Sequence, residues 1–304
     1  MNEPAARAPT IKLHRIAVIG FGEAGSILGA DLVRAGCEVT TYDILLDAEP
    51  GRGEILARAA RAGARTGSSF AEAARGADLV ISAVTAASSA DVAAEAGRSL
   101  RAGQIFLDIN SCSPATKRSN RDAVEAAGAD YVEAAVMAPV PPQRLKVPML
   151  LGGRRAAELA GALNALGMNA TAIAEEIGVA SAVKMCRSIV IKGLESLTVE
   201  CVMAARRFGA EEQVLASLDA TYPSMGWLGP LPDYLVSRVA EHGRRRAAEM
   251  REVARTLQDA GIEPTMALAV AARQDALVDR MASRGITYPR EGTFSWRKLI
   301  DALT

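Results

Sequence analysis

The sequence predicts an α/β chain, with an N-terminal doubly wound parallel sheet followed by an all-α C-terminal domain. Three observations carry that prediction. A length of 304 residues fits two domains of roughly 150 residues each. From Arg15 to about Ala174, short apolar runs alternate with Ala-rich stretches of helical period, the mark of repeated strand–helix units. From about Gly178 the strand-like runs stop and only helical patterns remain. The expected layout is a flexible N-terminus over 1–14, a sheet domain over 15–177 and a helical domain over 178–304.

The runs read as buried strands are Ile16–Ile19, Glu38–Tyr42, Leu79–Val84, Ile105–Ile109, Tyr131–Val136 and Met149–Leu151. Helical stretches lie between them at Ala24–Ala35, Gly53–Ala62, Ser69–Arg75, Ala90–Ser99, Pro114–Ala127 and Ala156–Leu166. The C-terminal half reads as Val179–Phe208, Glu211–Leu218, Leu231–Arg255 and Met266–Ala282. Pro223, Gly226, Gly229, Pro230 and Pro232 break the pattern as a loop cluster. At 1.5 Å per residue, Val179–Phe208 would be a helix about 45 Å long.

Composition excludes several classes. Lys plus Arg and Asp plus Glu number 35 each, so no general attraction to nucleic acid or anionic membrane is expected. Arg244, Arg245 and Arg246 sit among acidic residues and read as a solvated helix face. Cys37, Cys112, Cys186 and Cys201 match no metal or CxxC spacing and read as reduced thiols. His14 and His242 are the only histidines, too few for a His-based metal site, and no metal is expected. Residues 1–14 are polar and rich in Pro and Ala, with no apolar signal core, and no run is long enough to cross a bilayer. A cytoplasmic location is expected.

The strongest local signal is Gly20-Phe21-Gly22-Glu23-Ala24-Gly25, which directly follows the first strand and opens the first helix. In that setting GxGxxG is the dinucleotide fingerprint of a Rossmann domain. Gly20 permits the turn, Gly22 lets the backbone approach a pyrophosphate, and Gly25 lets helix and strand pack closely. The helix N-terminus offers N–H groups and partial positive charge to the phosphates. Asp43 ends the second strand 18 residues after Gly25, near the spacing of about 20 for the ribose-binding acid. A carboxylate there repels a 2′-phosphate, which favours NAD slightly over NADP, although Arg52 is near in sequence and able to hold a phosphate. The nicotinamide half is expected at the end of the third apolar run, where Ala83, Val84 and Thr85 form a shelf.

Asp108-Ile109-Asn110-Ser111-Cys112-Ser113-Pro114 resembles the DxSSxxP-type segment of the β-hydroxyacid dehydrogenase / 6-phosphogluconate dehydrogenase-like superfamily. The resemblance spans about Arg15 to Leu303 and implies that Asn110 and Ser111 contact cofactor and substrate. Ser113 and Pro114 also suit a helix N-cap and first position. Gly178-Val179-Ala180-Ser181-Ala182-Val183-Lys184 is similar to the superfamily's GxGxxxK segment, which implies Lys184 as the acid–base group. Arg187, Ser188 and Lys192 follow at helical spacing and would present cations and a hydroxyl to an anionic substrate. Ser188 stands where the superfamily has Asn. Where it has DAPVSGG, this chain has Glu133-Ala134-Ala135-Val136-Met137-Ala138, so the polar cradle is replaced by an apolar wall around Met137. His242 is a candidate acid–base group or substrate ligand, and Arg245 a candidate for binding an anion in the cleft. Tyr222 and Trp227 read as core residues first and pocket residues second.

Three functions follow. The first is an NAD(P)-dependent oxidoreductase moving a hydride to or from the alcohol or carbonyl carbon of a small, anionic, hydroxyacid-like substrate. The second is an imine or ketone reductase on a larger apolar substrate, favoured by Met137 and Ala138. The third is a non-catalytic NAD(P)-binding protein. Apart from the small-molecule substrate, the expected partner is a second copy, joined as a homodimer through the helical domain.

Overall fold

The computed structural model describes residues 11–289 and 292–303, so most of the stretch read as a flexible N-terminus lies outside it. Contacts divide the chain into two units, the first ending at Lys184 and the second beginning at Met185.

The first unit runs β1 (Arg15–Ile19), α1 (Glu23–Arg34), β2 (Glu38–Tyr42), α2 (Gly51–Ala62), β3 (Arg65–Thr66), α3 (Phe70–Ala74), β4 (Leu79–Ser82), α4 (Ser89–Ser99) and β5 (Ile105–Asp108). It continues through α5 (Pro114–Glu125), β6 (Asp130–Val136), α6 (Val140–Gln143), β7 (Pro148–Gly152), α7 (Ala156–Ala165) and β8 (Asn169–Ala174). The eight strands form one sheet in the order β3-β2-β1-β4-β5-β6-β7-β8. The order reverses at β1, which pairs in parallel with both β2 and β4. Ligands of such sheets bind at that switch point, outside the strand C-termini.

Both faces of the centre of the sheet are covered, so β1, β4 and β5 are buried almost throughout rather than alternating. Ile16 and Val18 enter one cluster with Leu28, Leu32 and Ile55 of α1 and α2. Ala17 and Ile19 enter the other with Phe70, Ala93 and Val124 of α3, α4 and α5.

Two strand features depart from the expected all-parallel sheet. β7 pairs antiparallel to β6, with Glu133 opposite Gly152. Residues 137–147 between them hold only the one-turn α6 and a 3-10 turn at Arg144–Lys146, too little for the crossover helix that a parallel return needs. β3 and β8 were not expected: β3 is two exposed residues, and β8 is an Ala-rich edge strand with alternate residues exposed.

The second unit takes up the long helix α8 (Val179–Arg207), then α9 (Glu211–Thr221), α10 (Leu231–Asp259), α11 (Thr265–Ser283) and α12 (Trp296–Leu303). The first six residues of α8 thus belong with the sheet. Val199 and Val202 pack with Leu235, Val236 and Val239 of α10, Leu277 and Met281 of α11, and Trp296 and Ile300 of α12. α12, unexpected from the sequence, is a short amphipathic helix burying Trp296, Leu299, Ile300 and Leu303. Trp227 is buried in this core, whereas Tyr222, also read as core, is exposed. No helix among the described residues is long and apolar enough to cross a membrane.

Candidate nucleotide-binding and catalytic site

Two glycines of the turn after β1 stand where nothing larger fits. Gly20 has φ +87°, and a Cβ there would meet the Ala83 carbonyl oxygen at 2.6 Å. A Cβ on Gly25 would collide with the Gly20 carbonyl oxygen. Gly22 is different: nothing lies within 4 Å of where its Cβ would be. Gly22 is also the N-cap of α1 and, as a glycine, gives no side-chain cap. An open cradle over an uncapped helix N-terminus fits a pyrophosphate. Glu23 is exposed and Ala24 half-buried, so both face this cradle through their backbone. Gly22→Ala is expected to leave the melting temperature of the ligand-free protein nearly unchanged. NADH binding in calorimetry should weaken by about tenfold, or 1.4 kcal/mol.

Phe21, expected to contact cofactor, has its side chain fully buried. Its ring fills the space over Gly29, where a Cβ would lie 2.8 Å from Phe Cε2. Its backbone instead holds Asp43, the carboxylate expected to bind a ribose. The Phe21 N–H donates to Asp43 Oδ2 at 2.7 Å, and the Leu45 N–H donates to Asp43 Oδ1 at 3.0 Å. Asp43 is thereby fixed at the end of β2, half-buried, with lone pairs left for a diol. Tyr42 beside it is pushed up to about 12, by burial first and then by its hydrogen bond to Asp47. Arg52 is an exposed residue of α2. The arginine that reaches the elbow is Arg58, whose Nη1 donates to the Phe21 carbonyl at 3.3 Å and which pairs with Glu54. Sequence reasoning missed it because its only signal is a position on the inner side of α2.

The shelf and the substrate loop are one network. Asn110 Oδ1 accepts the Val84 N–H at 2.7 Å, and Asn110 Nδ2 donates to Ser82 Oγ at 2.8 Å and Ser89 Oγ at 3.3 Å. Asn110 is buried and its amide is committed, so it ties the Ser82–Thr85 shelf to the loop after β5 rather than offering a ligand. Ala83 and Val84 are half-buried and Thr85 is exposed, its Oγ1 3.1 Å from Ser88 Oγ. Beneath them Asp108 is fully buried. Its Oδ1 meets Lys117 Nζ at 2.8 Å and the Asn110 N–H at 2.9 Å, and its Oδ2 meets Tyr131 OH at 2.7 Å and Asn120 Nδ2 at 3.1 Å. Burial alone would raise the Asp108 carboxyl, but Lys117 and these hydrogen bonds hold it below the ordinary range. Lys117, Asn120 and Tyr131 were not anticipated. Their one signal is the spacing of Lys117 and Asn120 from the Ser113–Pro114 cap, which is itself observed: Ser113 Oγ accepts the Thr116 N–H at 3.2 Å. On the outer side of this scaffold, the Ser111 hydroxyl is buried with no partner among the described residues.

Glu133, read only as a departure from a motif, is fully buried and accepts N–H groups from Gly178 at 2.6 Å, Ala180 at 3.1 Å and Ser181 at 3.3 Å. It caps α8, which carries the half-buried Lys184 one turn later. Met137 is half-buried, its N–H donating to the Pro148 carbonyl at 2.9 Å.

The remaining candidates belong to the second unit. Arg187 is exposed. Ser188 and Lys192 face inward rather than toward a ligand: Lys192 Nζ donates to Ser188 Oγ at 3.1 Å and pairs with Glu249 at 2.9 Å, and both residues are buried. Packing of α8 on α10 places them there. His242 is half-buried, 3.2 Å from Glu241, and is pushed below the ordinary histidine value by burial first and then by Arg238. Arg244 and Arg245 are exposed, but Arg246 is buried on Glu195.

A concavity of about 470 Å³ lies elsewhere in the first unit. Arg75, Arg98, Arg101 and Gln104 line it, at the N-terminal ends of β4 and β5, opposite the nucleotide elbow.

Comparison with known proteins agrees with this geometry. Residues 15–174 match the NAD binding domain of 6-phosphogluconate dehydrogenase, and residues 205–277 match a domain of unknown function (DUF1932). A conserved hypothetical protein from Sinorhizobium meliloti 1021 is 37% identical, with 99% of each chain covered and a TM-score of 0.77. The 3-hydroxyisobutyrate dehydrogenase of Mycobacterium tuberculosis, solved with L-serine, is 17% identical, with 96% of this chain and 99% of that chain covered and a TM-score of 0.71. An imine reductase variant from Myxococcus stipitatus, solved with NAD+, is 22% identical, with 96% and 100% covered and a TM-score of 0.58. These last two share the fold. With more than half its length matched, the chain belongs to the family that carries the NAD-binding domain of 6-phosphogluconate dehydrogenase.

Proposed function

We propose that this protein is an NAD(P)-dependent oxidoreductase, with NAD favoured, acting on a small anionic hydroxyacid-like substrate with Lys184 as its acid–base group. One observation carries the reading: Asn110 hooks the nicotinamide shelf to a loop whose Ser111 hydroxyl is buried and has no partner among the described residues. A buried donor without a partner is costly and is satisfied by a substrate oxygen. When bound, the nicotinamide supplies or takes up the hydride. Lys184, as the neutral amine, takes the hydroxyl proton during oxidation and returns it from the ammonium during reduction. Asp43, fixed by two backbone N–H groups, suits a ribose diol and disfavours a 2′-phosphate. Exposed Val190 and Leu197 on α8, with exposed Phe208 just past its end, support a homodimer through the helical unit, expected as a dimer mass in light scattering. A cytoplasmic location completes the reading.

The half-buried Met137 and Ala138 favour a second reading, a reductase of imines or ketones on a larger apolar substrate. The deciding experiment follows nicotinamide absorbance over panels of hydroxyacids, ketones and cyclic imines with each cofactor. Hydroxyacid oxidation with NAD is expected. Turnover of imines alone would transfer the assignment to the second reading. Tight NADH binding with no turnover, and no substrate-dependent thermal shift, would make the protein a nucleotide binder.

A further inference from the structure

β5 and β6 pair in register with Asp108 beside Glu133, so two fully buried carboxylates stand together on neighbouring strands. Asp108 is answered by a lysine. Among the described residues Glu133 forms no ion pair; it is answered by the three N–H groups that open α8. The neighbouring strand makes room for this contact. Gly152 of β7 lies opposite Glu133, and a Cβ there would sit 2.7 Å from Glu133 Oε1. A buried anion at a helix N-terminus is stabilised by the helix dipole.

Ala180 and Ser181, which Glu133 holds, are four and three residues before Lys184. On a helix these positions share one face, and a long side chain leans back over the turn before its own Cα. The turn that Glu133 grips is therefore the turn over which Lys184 lies.

We propose that Glu133 is the positioning residue for Lys184, fixing the lysine's height against the sheet and keeping a buried negative charge beneath it. This rests on the reading of Lys184 as the acid–base group. Other charges near this turn include Arg118 of α5, whose Nη1 would lie 2.7 Å from a Cβ on Gly178, Glu176 just before α8, and Arg187 one turn on. Removing the Glu133 charge leaves Arg118 and Arg187 to act on the ammonium with less opposition, so the amine loses its proton more readily.

The chain has six lysines, few enough to resolve after reductive methylation with ¹³C-formaldehyde. The signal missing from Lys184→Arg assigns Lys184 in the intact protein. In Glu133→Gln that signal is expected to titrate about one pH unit lower. Turnover should fall about tenfold or more, with the NADH dissociation constant unchanged. Glu133→Asp keeps the charge but is one methylene short, so its lysine should titrate near the wild-type pH while turnover still falls. An unmoved Lys184 signal in Glu133→Gln overturns the proposal, whatever the variant's melting temperature. If Glu133→Gln does not fold, wild-type turnover in Glu133→Asp overturns it. Full activity in Lys184→Ala would instead sink the functional reading itself.

Discussion

Lys184→Ala is expected to bind NADH as tightly as the wild type and to lose turnover by about 10²–10⁴-fold, the usual worth of a positioned general acid–base group. The two halves of that expectation separate because the residues involved are separate. On the proposed reading, Gly20–Gly25 and Asp43 would hold the nucleotide through backbone and carboxylate groups on the β1–α1 turn and just past β2. Lys184 is on another element, α8. Calorimetry with NADH and steady-state rates on the same preparation check both. Lys184→Arg keeps the charge but not a proton that can leave near neutral pH, so it should be as slow as the alanine variant. If both variants turn over at the wild-type rate, the proton is handled elsewhere.

The largest stability effect is expected at Lys117. Lys117→Met strands the Asp108 carboxylate inside the sheet unit, where Lys117 and Asp108 are 1% and 0% exposed. Breaking such a pair on one side costs about 3–5 kcal/mol, which for a unit of this size lowers the melting temperature by roughly 10 °C. The pH dependence has a definite sign. Asp108 is depressed in the folded protein, so its stabilisation is complete above the unfolded carboxylate value of about 3.9 and is lost as pH falls through the folded one. Without Lys117, burial dominates and the carboxyl rises, so the variant recovers stability as pH falls and Asp108 gains a proton. The gap in melting temperature between wild type and variant should narrow toward pH 5, as read by circular dichroism. Asp108→Asn added to Lys117→Met should restore most of the loss, because neither charge then remains buried. Activity should suffer in the single variant beyond what stability explains, since Asp108 also holds the Asn110 N–H and hence the substrate loop.

What was legible in the sequence was local. The glycine elbow is six consecutive residues whose spacing encodes a turn, an approach and a close packing; Gly20 and Gly25 sit where a Cβ would collide, and Gly22 faces open space. The Ser113–Pro114 cap is equally short-range. Strand positions followed from apolar runs, but β7's direction did not, because periodicity carries no sign; the connection rich in proline decided it. Least legible were residues whose meaning depends on a distant partner. Lys117 reads like any surface lysine until Asp108, nine residues earlier, is placed beneath it by the strand–helix turn. Glu133 acquires a role only when Gly178–Ser181 arrives 45 or more residues later. Lys192 and Ser188 share the lysine's helix, but α10 turns their positions inward.

That last packing has a consequence for how the helical unit assembles. Lys192 meets Glu249 and, three residues on, Glu195 meets Arg246. The helices run in opposite directions, and the polarity of the two pairs is inverted. Sliding α10 by one turn in one sense would set Arg246 against Lys192; sliding it in the other would set Glu249 against Glu195. Either shift confronts like charges in a setting too dry to screen them. The two pairs thus work as a lock and its ward: a hydrophobic seam alone would accept several alignments, and these four side chains admit one.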